Sequence, residues 1–290
     1  MCKTHQIAKQ LDVTLLKRLD GAKVLPVPEH EPLEPGSYLV EKDGEKFVLK
    51  TGNFNDHEVD HNWELADAGT PVRNITESVP GEYILYEYVD APLMAASEYW
   101  SDAEMQKVFN LQHEIEAKLN RVLFTDKDVK QAINWLNDRP LGLWLKETTN
   151  NPWRHEEVAK IREAIRPYMT EWSIAEGLER VYRDNNGEHY VDSPTGLVVL
   201  DVDIATRPKH YMDMRYLAWV ILTMPMEFLS TEWVMEWLTK LRADQAHYIT
   251  FLLSLVGIMW DIYANPGYAG QHEDKGEIVK ELVTWLIDRV

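Results

Sequence analysis

The chain has 290 residues, 45% hydrophobic and 27% charged, a globular composition long enough for one large domain or two lobes. Lys plus Arg total 30 against 48 Asp plus Glu, a net charge of −18. That balance argues against a nucleic-acid partner, which needs clustered cations. Cys2 is the only cysteine, so neither a disulfide framework nor a thiolate metal cluster is expected.

The opening residues hold no apolar signal core, and the longest apolar run, 249–260, contains Ser254 and is short for a bilayer span. The expectation is a chain without a membrane partner, in a reducing compartment, most simply the cytoplasm. In chain order, 23–29 and 36–52 read as strands. The second stretch is a hairpin, "SYLVE" and "EKFVLK", turning at Asp43-Gly44. Alternation puts Phe47 and Leu49 on one face, Val48 and Lys50 on the other. "NDHEVDHNWELADAG" then reads as a helix, with Val59, Trp63 and Ala66 as its apolar stripe. "TPVRNITES" and "GEYILYEYVDAPL" give two more strands around Gly81.

From about residue 100 the texture turns helical, beginning with Ser101 as cap and Glu104 in the capping-box place. Helices are expected over 101–123 and around 127–137, 155–180, 211–223, 231–260 and 274–289. One β patch interrupts them, "EHYVD" and "LVVLDVD" about "SPTG". The expected division is 1–89, a β-rich lobe, and 90–290, a helical lobe.

"HEVDH" (57–61) fits the zinc-hydrolase pattern of two histidines and a glutamate on one helical turn. Asp56 and Asp60 make an unusually polar setting, no third ligand follows in pattern, and five residues are a weak signal. The favoured reading leaves His57 and His61 on a solvated face.

Glu58 has another partner in view. A strand ending "FVLK", a helix carrying Glu, the buried strand "YILYEYVD", the loop "YRDNNGEHYVDS" and the strand "LVVLDVD" occur in that order. As an ordered set they resemble the protein-kinase-like superfamily, and its aminoglycoside phosphotransferase and choline kinase branch in particular. "HEVDHNWELADAGTPV" is similar to that branch's passage from helix into strand. "LDVD" resembles its strand end, and "MDMRYLAW" its following helix start. The resemblance covers roughly 20–220. It implies an α+β, bilobal protein-kinase-like fold, with a small antiparallel β lobe bearing one key helix and a larger, mainly helical lobe.

The same resemblance implies an ATP-dependent phosphotransferase acting on a hydroxyl of a small molecule. Lys50 contacts ATP phosphates and Glu58 orients it, with Glu64 as fallback. Val48 lies over adenine, and the backbone of Glu87, Tyr88 and Val89 hydrogen-bonds it. Asp184 handles the proton of the acceptor hydroxyl. Asp201 binds Mg²⁺ with Asp203 assisting, and Asp213 braces the catalytic loop. A cationic or amino-bearing acceptor suits the acidic chain.

The departures are specific. His189 stands where an Asn ligand is expected and suits Mn²⁺ better than Mg²⁺; Asn186 is an alternative ligand. Tyr182 replaces a bracing His. "PVPEHEPLEPGS" has one glycine where a Gly-rich loop belongs. These leave open a kinase-like binding or regulatory protein without catalysis, with Trp233, Trp237, Trp260 and Trp285 as a candidate surface for a protein partner.

Overall fold

The computed structural model describes residues 19, 21–27, 33, 36–52, 56–91, 94, 101–120, 125–146, 153–168, 177–182, 189–200, 202–264 and 272–290. In chain order the elements are β1 (Lys23–Val24), β2 (Ser37–Lys42), β3 (Glu45–Thr51), α1 (Asp56–Asp67), β4 (Ile75–Val79) and β5 (Tyr83–Glu87). Then come α2 (Asp102–Leu119), α3 (Asp126–Leu136), a π-helix (Asn137–Trp144), α4 (His155–Ile165), β6 (Leu178–Tyr182), β7 (Tyr190–Ser193), β8 (Gly196–Val199) and β9 (Ile204–Pro208). The chain ends with α5 (Tyr211–Thr223), α6 (Thr231–Lys240), α7 (Gln245–Tyr263) and α8 (Gly276–Ile287). The fold class is α+β.

Contacts divide the chain into two compact units: Met1–Ala96 with Glu188–Asp203, and Ser97–Gly187 with Ile204–Val290. The sequence boundary at 89 therefore differs from the contact grouping. The β7–β8 hairpin joins the first unit because its backbone is bonded there. Arg73 N donates to Val199 O at 2.8 Å, Val199 N to Pro71 O at 2.8 Å, and Met94 N to Tyr190 O at 2.8 Å.

The first unit is built on an antiparallel sheet of five strands, ordered β1-β2-β3-β5-β4. The β2–β3 hairpin closes with Lys42 opposite Glu45, and Asp43 and Gly44 both take positive φ (55° and 83°), as a type I′ turn requires. Phe47 and Leu49 pack on one face with Val40, Tyr83 and Leu85, and Val48 packs on the other with Ile75, Ile84 and Tyr86. The alternation read from the sequence holds.

Helix α1 departs from its expected stripe. Its buried side is Glu58, Asn62 and Leu65, whereas Trp63 is 51% exposed. Two of those three positions are polar and are buried because they are bonded: Asn62 Nδ2 donates to Arg73 O at 2.9 Å, and Glu58 accepts from Lys50. A hydrophobicity pattern cannot find such a face.

In the second unit Ser101 caps α2 through Glu104 N, and Thr125 caps α3 in a reciprocal box with Asp128. After α3, Pro140 has no N–H to give, and the backbone widens into the π-helix, where Leu145 N reaches Pro140 O at 3.1 Å. The helix expected over 155–180 divides: α4 stops at Ile165, and Leu178–Tyr182 is strand β6, paired antiparallel with β9. The helix expected over 231–260 also divides, with Arg242 at φ 53° between α6 and α7.

Helix α7 is long and apolar enough by length and composition to cross a membrane. It is apolar all round because it packs against α5, α8 and the π-helix within the unit. Gly257 permits that approach: a Cβ there would lie 3.0 Å from the Trp144 ring. Beside it, Phe109 of α2 meets Tyr216 edge-on at 5.6 Å and Trp237 at 5.2 Å. Trp237 is 1% exposed, and Trp233, Trp260 and Trp285 are partly buried, so these four do not make the exposed partner surface expected of them.

Leu65→Ala should cost about 2–5 kcal/mol in urea unfolding, and Trp63→Ala less than about 0.5 kcal/mol. Equal losses would contradict the buried face assigned to α1.

Candidate active site

Antiparallel pairing of β3 with β5 sets Val48 opposite Tyr86 and Lys50 opposite Ile84, so these four side chains share one sheet face. Helix α1 contributes Val59 to the same apolar cluster. One residue earlier on that helix, Glu58 turns its carboxylate to Lys50. Nζ donates to Oε1 at 2.9 Å and to Oε2 at 3.0 Å. The side chains are 20% and 10% exposed, so water screens the pair weakly.

A third group completes the arrangement. The Tyr86 hydroxyl donates to Glu58 Oε1 at 2.5 Å, in the range of a charge-assisted O–H···O⁻ bond. The Arg73 guanidinium lies over the Tyr86 ring, 4.1 Å from its centroid. Sequence reading found the Lys50–Glu58 pair and passed over Tyr86 and Arg73. The signal for Tyr86 was available in the alternation of "YILYE", which places it on the Lys50 face once strand register is known.

The connecting segment after β5 is partly committed. Glu87 N donates to Asn74 O at 2.9 Å, and Tyr88 N to Lys46 O at 3.3 Å. The Val89 carbonyl accepts from Ala91 N at 3.0 Å. Among the described residues, no backbone carbonyl accepts from the Val89 N–H.

His189 is buried and its carbonyl accepts from Leu200 N at 2.8 Å, which sets it opposite the residue preceding Asp201 in sequence. Asp203 lies 3.6 Å from His61 Nδ1, with its side chain 29% exposed. His61 is therefore not a bystander on a solvated face; it faces the acid two residues beyond Asp201. His57 is exposed and stacks on His61 at a ring distance of 6.0 Å. Because Lys50 and Tyr86 take the Glu58 carboxylate, "HEVDH" offers no free glutamate for the zinc-hydrolase chemistry its pattern suggested. Asp184, Asp201 and Asn186 lie outside the described residues. Tyr182 is fully buried at the end of β6, opposite Ile204.

Within the second unit Asp213 is 0% exposed on α5, and its Oδ2 lies 2.7 Å from His113 Nε2. Its Oδ1 has no hydrogen-bond partner among the described residues. The hydrogen bond to Asp213 raises the His113 pKa, against a lowering by burial. Glu116, one helical turn on, is pushed up to about 9, by burial first and then by the Asp213 charge. Burial also raises Glu179. Three carboxyl groups thus share one interior, and His113 is hydrogen-bonded to one of them, Asp213.

No protein-family model matches the chain, and no curated protein matches it by sequence. Solved structures do match by fold. The choline kinase of Streptococcus pneumoniae is 18% identical, with a TM-score of 0.54 over 96% of this chain and 98% of that one. An amicoumacin kinase solved with AMP-PNP, Ca²⁺ and Ami is 12% identical, with a TM-score of 0.62 over 99% of this chain and 96% of that one. A microcompartment-associated aminopropanol kinase is 13% identical, with a TM-score of 0.57 over 95% of each chain. The chain has the protein-kinase-like fold shared by choline kinases and aminoglycoside phosphotransferases.

The raised Glu116 value has a testable sign. The folded value lies above the ordinary 4.5, so the neutral carboxyl favours folding below pH 4.5 and that contribution is lost as pH rises through about 9. Glu116→Gln should raise the melting temperature at about pH 8 and leave it nearly unchanged at about pH 4. An equal effect at both values would contradict a buried, neutral Glu116.

Proposed function

We propose that this chain is an ATP-dependent phosphotransferase that moves the γ-phosphate to a hydroxyl group of a small molecule. One observation carries the reading: a Lys–Glu pair, bidentate and nearly desolvated, stands on the inner face of an antiparallel sheet. The fold likeness to choline, amicoumacin and aminopropanol kinases supports the same reaction class.

The residues present suit a nucleotide. An ammonium is a three-donor point charge of the kind that binds phosphate oxygens, and Glu58 holds it through both carboxylate oxygens. Glu58 and Tyr86 hold that ammonium in one place, so its position is set before phosphate arrives. Val48 offers an apolar surface to adenine, and the Val89 N–H is the donor to a ring nitrogen, the Glu87 and Tyr88 amides being bonded already.

The donor set also suits a divalent cation. Asp201 and Asp203 give the hard carboxylate oxygens that Mg²⁺ prefers, and His189 in the Asn place shifts preference toward Mn²⁺. When bound, such an ion neutralises charge on the phosphate oxygens. Asp184 takes the proton from the acceptor hydroxyl as its oxygen bonds to phosphorus and ADP leaves. Asp213 is a positioning residue for the loop that carries Asp184. Helices within 90–290 select the acceptor, and the acidic chain favours one bearing an amine. The cytoplasm, where ATP is plentiful, is the fitting location.

The test is ATP turnover across a panel of amino alcohols, choline analogues and aminoglycosides with Mg²⁺ and then Mn²⁺. Some acceptor should be phosphorylated, and Asp184→Asn or Asp201→Ala should lower the rate at least about 100-fold. Nucleotide binding without turnover of any acceptor would favour the non-catalytic binding protein instead.

A further inference from the structure

Zinc-type ligands meet in this molecule, but not at "HEVDH". His210 ends the turn between β9 and α5, and Asp244 and His247 stand at the start of α7. One ligand atom from each of the three lies within 4.8 Å of the others. His247 is 7% exposed and His210 is partly buried.

Three features set this cluster apart from an ordinary helix cap. The His210 and His247 rings stack at 3.5 Å between centroids with planes 11° apart, which brings two imidazoles together, and one ring must turn out of the stack for both to aim an in-plane nitrogen at one ion. The His210 Nε2 is buried and has no hydrogen-bond partner among the described residues. His210 also sits in the left-handed region, φ 62° and ψ 21°, where its backbone N–H is fixed by the Glu179 carboxylate at 3.0 Å. Capping accounts for Asp244 and His247, since Asp244 Oδ1 accepts from His247 N at 3.1 Å. It does not account for His210.

We propose that His210, Asp244 and His247 form a binding site for a borderline transition-metal ion, Zn²⁺ by preference, that ties the start of α5 to the start of α7. Asp244 Oδ1 and His247 Nδ1 are 2.8 Å apart, a hydrogen-bond separation that must open to about 3.4 Å for the two to take tetrahedral positions on one ion with bonds of about 2.0–2.2 Å. The ion takes the place of the hydrogen bonds between His247 Nδ1 and Asp244, from whose backbone N–H that nitrogen accepts at 3.2 Å, and any proton on the nitrogen passes to solvent. An imidazole nitrogen of His210 is the third ligand, and water completes a tetrahedron. Two imidazoles and one carboxylate select Zn²⁺, Co²⁺ or Ni²⁺ over Mg²⁺, which demands oxygen. Both helix starts oppose a cation with their partial positive charge, so the Asp244 carboxylate is indispensable. The site is separate from the phosphotransferase reading and does not depend on it.

The test uses the untagged full chain, stripped with chelator and titrated with Zn²⁺ by calorimetry. Metal content and melting temperature are read alongside. One zinc per chain and a raised melting temperature are expected. His210→Gln and Asp244→Asn should each weaken zinc at least about tenfold, and the double variant His57→Ala, His61→Ala should leave it unchanged. Should either ligand variant not fold, X-ray absorption at the zinc edge of the wild type still decides, with two imidazoles expected. Absence of zinc binding, undiminished binding in His210→Gln, loss in the His57, His61 variant, or fewer than two imidazoles would overturn the site.

Discussion

The ion pair between Lys50 and Glu58 is the constraint around which the first unit is arranged. Two opposite charges out of water cost several kcal/mol each unless geometry and further hydrogen bonds offset the loss. Here both carboxylate oxygens accept from Lys50 and one also accepts from Tyr86. That requirement sets strand register, because a one-residue slip of β3 against β5 would send Lys50 to the face occupied by Leu49. It also decides which side of α1 is buried. Glu58, Asn62 and Leu65 face inward, and Trp63 is left to solvent.

The second unit solves a different electrostatic problem. Its core helices α5 and α7 are mostly apolar, and buried polar groups enter at helix starts such as Asp213, Thr231 and His247, on α2 at Gln112, on β9 at Thr206 and Arg207, and within α7 at Thr250 and Ser254. Asp213 is hydrogen-bonded to His113, while Glu116 beside it is pushed toward its neutral form by burial first and then by the Asp213 charge. Neutralising the weaker partner is how a buried acid cluster avoids stacking like charges. The cluster of His210, Asp244 and His247 lies in the same unit.

Much of this was legible in the chain of letters, and the misses share a cause. Strands with clean alternation, such as "EKFVLK", and capped helices, such as the one after Ser101, were read correctly because local chemistry decides them. The order Lys, Glu, buried strand, acidic strand end pointed to the fold observed. Trp63 was placed on the buried face of α1 because periodicity counts apolar residues, whereas here satisfied polar ones turned inward. Strand β6 was read as helix because its partner, β9, comes later in the chain and only the tertiary pairing makes it a strand. His210 and His247 are too distant in sequence for any spacing rule to join them, while "HEVDH" satisfied such a rule with its glutamate already bonded to Lys50 and Tyr86.

The central claim is that the Lys50–Glu58 pair makes a phosphate site, and calorimetry on wild type and Glu58→Gln with ATP and with adenosine tests it most directly. Adenosine carries no phosphate for the Lys50 ammonium to hold. Glu58→Gln should weaken ATP at least about tenfold, about 1.4 kcal/mol, and leave adenosine unchanged. Equal losses for the two ligands, or an unchanged ATP affinity, would contradict the claim.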